Sequence, residues 1–256
     1  VVLVKYGTSI SDNTINTGDG IVFTQTDNSF VCERGIFSSN QGTNFNNLIR
    51  IASGTSSSNY SIEKSIISNN STSSSLLIFQ CLGGNIEQTR IMNNHCTSGN
   101  IVRTNTALTN VMNNNLIAGN TTTSTPVLEH IGGPLSMMHC TVSNTATSVY
   151  QLQIEGTGGT TFDLVNNSFT RNGDGNALIR LANNSFNFAT GGLKNNHFWD
   201  GISPGAGDYA INISGTNYDI AGLAGAGLQN QGNICRAPNF SGTYKPNVGS
   251  PLIDAG

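Results

Sequence analysis

Charge is scarce in this chain. Of its 256 residues only 10% are Asp, Glu, Lys or Arg. Lys and Arg together number 11 against 14 acidic residues, with no basic run, so the basic excess that a nucleic-acid partner demands is missing. Apolar runs are short as well. Stretches such as Leu76 to Phe79 are strand-sized, far below the ~20 residues of a membrane-spanning helix. Aromatics make up 7% and a disulfide framework is lacking. The five cysteines (Cys32, Cys81, Cys96, Cys140 and Cys235) are odd in number, scattered and without a CxxC spacing, which reads as buried or incidental thiols. The chain opens at Val1 with neither a methionine nor a signal-like segment, as expected of a processed product.

Abundant Ser, Thr, Asn and Gly would suit a disordered chain, but such chains usually carry high net charge, and here it is -3. The same polar, uncharged composition fits short strands joined by many turns. A repeat supports that reading. An apolar residue followed three positions later by Asn recurs as Phe37/Asn40, Ile67/Asn70, Ile91/Asn94, Ile117/Asn120 and Phe169/Asn172, while Val142 and Phe198 hold the apolar place where Thr145 and Gly201 replace the Asn.

Five residues earlier stands a second column: Cys32, Ile62, Ile86, Met112, Met137, Leu164 and Leu193. A third follows each turn: Ile49, Leu77, Val102, Leu128, Leu152, Ile179 and Ile211. Two residues on come Ile51, Phe79, Thr104, His130, Ile154, Leu181 and Ile213. The i, i+2 alternation is that of strands, and no segment keeps a helical period for long. Each repeat of roughly 25 residues is three short strands. A propeller would need hairpins, and no recurrent two-residue Asn-Gly turn joins these strands. The alternative is that each strand pairs in parallel with its counterpart one repeat later, so that like residues stack about 4.8 Å apart. Asn rows at the corners then form amide ladders, and Asn suits a corner because it tolerates a left-handed backbone. A second ladder is expected at Asn115, Asn167 and Asn196, with Gly35, Ser65, Thr89 and Cys140 at that place in other repeats.

With units such as Val165-Asn-Asn-Ser-Phe169 and Lys194-Asn-Asn-His-Phe198, the chain resembles the right-handed parallel β-helix proteins of the pectate-lyase-like superfamily. Its ending, Ala237 to Pro246 and then Gly249-Ser-Pro-Leu-Ile-Asp-Ala-Gly256, is similar to the segment that closes many secreted bacterial members. The resemblance implies an all-β, single-stranded, right-handed solenoid of about eight to nine coils. Residues 1–256 are then one domain, with 1–20 as first coil or cap and 222–256 as closing segment, the capping roles falling to Val1–Val4 and the tail from Pro238. It also implies an extracellular or cell-surface location. Function it leaves open, since the superfamily includes lyases, hydrolases, tailspikes and adhesins.

By the superfamily's layout the strand after the long turn floors the sugar groove. Its outward row reads Arg50, Ile78, Arg103, Glu129, Gln153, Arg180 and Asn212, a concentration of charge in a chain with so little, and the next outward row adds Gln80, Asn105 and Glu155. Arg50, Arg103, Gln153 and Arg180 are the candidate ligand-binding residues, because guanidinium forks match the carboxylates of acidic sugars. Glu129 and Glu155 are the candidate catalytic pair, dividing acid and base roles in glycoside cleavage. The competing reading is a solvated strand face whose charges pair weakly across rungs. Neither the aspartate cluster of pectate lyases nor the Gly-His-Gly and Arg-Ile-Lys tripeptides of polygalacturonases is present, so no catalytic residue carries over.

Other polar features rank lower. Glu33, Glu63 and Glu87 stack on three successive coils, where calcium or the neighbouring Arg34 and Lys64 must offset repulsion; hard cations want more converging oxygens, and no metal site is assigned. His130 falls on an inward column as a satisfied core histidine, and His95, His139 and His197 lack metal-ligand spacing. The turns Gln41–Asn47, Ser71–Ser75 and Thr121–Pro126 are short, which leaves any cleft shallow. Thr43, Thr72, Thr97, Thr123 and Thr147 align near those turns as an array suited to ice or crystalline polysaccharide. The leading expectation is a surface module that contacts glycans, followed by a lyase or hydrolase acting on an acidic polysaccharide.

Overall fold

Three stacks of short strands, each in parallel register, make up the chain. The computed structural model describes residues 2–5, 7–16, 18, 20–24, 29–42, 44–52, 58–144, 150–156, 160–171, 177–182, 192–201, 209–239, 247–248 and 250. Thr43, Thr145, Thr147 and Asn172 lie outside them, as does most of the proline-containing ending.

In each coil the chain passes through sheet I (for example Asn59–Glu63), turns a corner into sheet II (Ile66–Ser68), turns again, and runs into sheet III (Leu77–Cys81). Among the described residues each of these three sheets has nine strands, all parallel but for Thr216–Tyr218, which folds back antiparallel on Ile211–Ile213 at the end of sheet III. This is an all-β parallel solenoid; its one helical element is a single 3-10 turn, Ala221–Ala224, among the described residues.

Every apolar column read from the sequence is a rung-by-rung stack. Ile62 pairs with Ile86, Ile86 with Met112 and Met112 with Met137 in sheet I. Ile67, Ile91 and Ile117 stack in sheet II, and Leu77, Val102 and Leu128 in sheet III. These side chains are buried and form one continuous core. Each buried aliphatic side chain contributes about 1.5–3 kcal/mol relative to exposure. The core includes stacked aromatic pairs, Phe169 on Phe198 and Tyr60 on Phe79. The Tyr60 ring stacks on Phe79 at a centroid distance of 3.9 Å, and its hydroxyl donates to Asn110 Oδ1 at 2.6 Å, two coils along. Gly84 stands between Tyr60 and Asn110 in that row, and a Cβ there would strike the tyrosine ring.

Both corners carry ladders. In the first, Asn40, Asn70, Asn94 and Asn120 are buried and each Nδ2 donates to the next Oδ1, for instance Asn94 to Asn120 at 2.9 Å. Asn13 joins below and Asn144 above. The ladder therefore continues at Asn144, one residue before the expected Thr145. The second ladder runs through the mixed column as anticipated: Ser65 N donates to Thr89 Oγ1, Thr89 N to Asn115 Oδ1, Cys140 N to Asn167 Oδ1 and Asn167 N to Asn196 Oδ1. Asn233 extends it.

Two corrections to the sequence reading concern these corners. The left-handed backbone belongs to the residue before the ladder position at most corners, such as Asn69 (φ 57), Asn93 (φ 55), Asn114 (φ 54) and Asn166 (φ 55), though not to Ser143 before Asn144. The ladder asparagines themselves are chosen for their amides. Part of what reads as turn is also a small fourth sheet, in which Ser71–Thr72, His95–Cys96 and Thr121–Thr122 pair in parallel. Thr72 points inward and is buried, so it is no member of an outer hydroxyl array, whereas Thr97 and Thr123 are exposed.

Candidate functional site

Because sheet III is in register, Arg50, Ile78, Arg103, Glu129, Gln153, Arg180 and Asn212 form one outward row. Ala52, Gln80, Asn105, Ile131 and Glu155 form the next. Rungs are about 4.8 Å apart, so neighbouring side chains in a row touch.

They form a connected chain. Arg103 Nε lies 2.8 Å from Glu129 Oε2, an ion pair whose N–H is not aligned as a hydrogen bond. Gln153 Nε2 donates to Glu155 Oε1 at 2.6 Å and reaches Glu129 Oε1 at 3.5 Å, the outer limit of a hydrogen bond. Arg180 Nη1 donates to Gln153 Oε1 at 3.3 Å, and its guanidinium sits 5.6 Å from the Tyr150 ring centroid. Gln153 is thereby buried at 6% exposure, although it stands on an outer face. Since one nitrogen reaches both, the two Oε1 atoms of Glu129 and Glu155 are no more than about 6 Å apart.

Burial pushes the Glu129 carboxyl above its ordinary value; Arg103 pulls it down in part, and the nearby Glu155 charge pushes it up. A raised carboxyl beside a second one is the combination that lets one act as acid and the other as base. Occupation of the space between them by the Gln153 amide works against that use.

Farther along the row, Arg50 and Arg103 stand two rungs apart with Ile78 between them. Together with Gln80, Asn46, Asn47 and Ser74 they line a shallow depression of about 280 Å³. Asn47 is fixed by donating from Nδ2 to Ser75 O at 2.5 Å. The depression offers guanidinium donors, amides and one aliphatic side chain. All six residues singled out from the sequence therefore lie on one sheet face, in two groups: Arg50 and Arg103 at the depression, and Glu129, Gln153, Glu155 and Arg180 in the polar chain that begins at Arg103. The corner residues Asn46, Asn47 and Ser74, and Tyr150 beneath Arg180, were not foreseen.

The other histidines and carboxylates read from the sequence lie away from this face. His130 is buried in the core, its Nε2 donating to Gly133 O at 2.6 Å and its Nδ1 2.8 Å from Thr104 Oγ1. His197, next to the ladder residue Asn196, is also buried. It lies on the outward row of sheet II with Nδ1 3.0 Å from Ser168 Oγ and Nε2 2.6 Å from Arg236 O. Burial lowers the pKa of both imidazoles. His95 is exposed and bonded to Thr121. Asn85 Nδ2 bridges Glu63 and Glu87 at 3.5 and 3.3 Å, and Glu33 approaches Arg34 at 3.9 Å, both largely exposed. Among the described residues no group of three or more His, Cys, Asp or Glu converges as for a metal ion, and no helix is long and apolar enough to cross a membrane.

Compared with known protein families, curated proteins and solved structures, the chain matches none.

Proposed function

We propose that this solenoid is an extracellular or cell-surface module whose sheet III contacts an acidic glycan. The observation that carries the reading is the depression between Arg50 and Arg103, where two guanidinium groups flank Ile78 and amides line the rim. Guanidinium groups recognise sugar carboxylates by paired donors, and an aliphatic side chain between them packs against the apolar face of a ring. Resemblance of the Asn-corner units to the pectate-lyase-like superfamily adds support for a polysaccharide partner and for display outside the cell. The test is affinity electrophoresis in gels containing polygalacturonate, with Arg50→Ala and Arg103→Ala beside the parent. Retardation of the parent that both variants lose is the expected result; equal mobility of all three rejects the reading.

A second reading, cleavage of the same polymer, draws on the raised Glu129 carboxyl and the short reach to Glu155. It requires release of reducing ends or unsaturated products from polygalacturonate that Glu129→Gln abolishes. Binding without any such release supports the non-catalytic module.

A further inference from the structure

Sheet I carries a second depression, of about 320 Å³, on a face that the reading above does not use. Its floor is the outward row in which Ser136 pairs with Asp163 and Asp163 with Gly192. Lys194 stands two residues beyond Gly192 on the same strand, Gly192–Lys194, and so on the same face. One wall is a step of turn residues: Thr109, Pro134 and Thr161 precede the paired strand residues on successive coils. Backbone bonds tie that wall to the stack, with Asn110 N donating to Pro134 O at 2.9 Å and Leu135 N to Thr161 O at 3.2 Å.

Gly192 makes the hollow. A Cβ at this position would collide with Asp163 Oδ1 and would come 3.6 Å from Lys194 Cε. The carboxylate of Asp163 therefore leans over Gly192, where an added side chain would have to displace it, and the lysine stem borders the same space. A carboxylate, an ammonium-bearing side chain and hydroxyls on Ser136, Thr109 and Thr161 surround one shallow opening.

We infer that this hollow is a binding site for a neutral saccharide ring. The two oxygens of one carboxylate accept from two adjacent ring hydroxyls, while the lysine and the serine or threonine hydroxyls donate to others. The opposite charges of Asp163 and Lys194 offset each other, so the site does not select for a charged sugar, in contrast to the arginine-lined depression of sheet III. Its volume is at the lower end of small-molecule sites, of order 300 Å³, suited to one or two sugar units at the surface of a chain.

The test is calorimetric titration of the full chain with cellohexaose, maltohexaose and mannohexaose. At least one is expected to bind, and Asp163→Ala and Gly192→Ala each to weaken it about tenfold, as for loss of a hydrogen bond to a charged group. Asp163→Asn keeps the shape and shows whether the charge matters, and melting temperatures show that each variant is folded. Excess polygalacturonate should not compete. The inference is overturned if none of the three hexaoses binds, if folded Asp163→Ala and Asp163→Asn both bind as the parent does, or if polygalacturonate displaces the hexaose. None of these results bears on Arg103→Ala in the polygalacturonate gels, so the two faces stand or fall separately.

Discussion

The Nδ1 of His130 lies 2.8 Å from the Thr104 hydroxyl of the neighbouring coil, inside the core of the solenoid. Nε2 carries the proton that is donated to Gly133 O, and Nδ1 is the acceptor, with Asn110 Nδ2 also 3.2 Å away. A proton added at Nδ1 would meet that amide donor in a buried setting. Burial depresses the folded-state pKa, and the bond to Gly133 O offsets this in part.

A pH dependence follows from the sign of that shift. The unfolded chain takes up the proton first as pH falls, near the ordinary imidazole value of about 6.5, while the folded chain resists until its own lower pKa. Stability from this group is full above that ordinary value and declines below it until the folded imidazole titrates; His197 acts in the same direction. Urea unfolding at about pH 7.5 and about pH 5 should show the loss, and His130→Leu, though less stable throughout, should show a shallower decline. An unchanged decline in the variant assigns the effect elsewhere.

Asn94 and its neighbour Asn93 separate the two roles of a corner. Asn94 Nδ2 donates to Asn120 Oδ1 and to Ile67 O, and its Oδ1 accepts from the backbone and side chain of Asn70. Asn94→Ala leaves several buried partners unsatisfied and should cost about 2–4 kcal/mol. Asn93 has φ 55 and makes room for the bend. Asn93→Gly should be nearly neutral, whereas Asn93→Ala should cost about 1–2 kcal/mol. Denaturant titration of the three variants measures all of this; equal losses for Asn93→Gly and Asn94→Ala contradict the division.

Electrostatic coupling on sheet III is measurable without any ligand. Arg103 lowers the Glu129 pKa and Glu155 raises it. Arg103→Ala should therefore move the Glu129 titration upward and Glu155→Gln should move it downward, read by carbon-13 NMR of the side-chain carboxyl. Shifts of the same sign in both variants would mean that the row is not coupled as described.

The cysteines should differ in reactivity. All five remain as thiols. Burial pushes Cys81 and Cys96 to about 11 and Cys140 to about 12, and Cys32 is also raised, so the thiolate that attacks a reagent is nearly absent at neutral pH. Cys235 is only half-buried. A chromogenic disulfide reagent should modify Cys235 first in the folded protein and reach the others only in denaturant, with the sites identified by peptide mass spectrometry.

Much of this architecture was legible because parallel stacking puts the same demand on every coil. A residue such as Met112 must match Ile86 before it and Met137 after it, so the columns are visible without coordinates. The slip at Thr145 arose where a corner is shorter: after Val142 the ladder place comes two residues on, at Asn144. The small fourth sheet was hidden because Ser71–Thr72 and its partners are two residues long, too short for an alternation to register. The burial of His197 was not legible for another reason. It stands on an outward row, and its Nε2 bonds Arg236 O in the closing segment, which the repeat does not describe. On sheet III the row itself was readable, but the folding of Gln153 onto Glu155 depends on side-chain rotamers, about which spacing is silent.

The register of sheet III makes its outer face a comb. Side chains project from a single line at a pitch of about 4.8 Å, fixed by backbone pairing and not adjustable by side-chain choice. A stretched polymer lying along that line meets the same set of teeth repeatedly only if its own repeat is commensurate with a whole number of rungs. Selection by length of repeat thus comes with the backbone, before any residue on the face is chosen, and substitutions at Arg50 or Arg103 change what each tooth grips while leaving the gauge of the comb untouched.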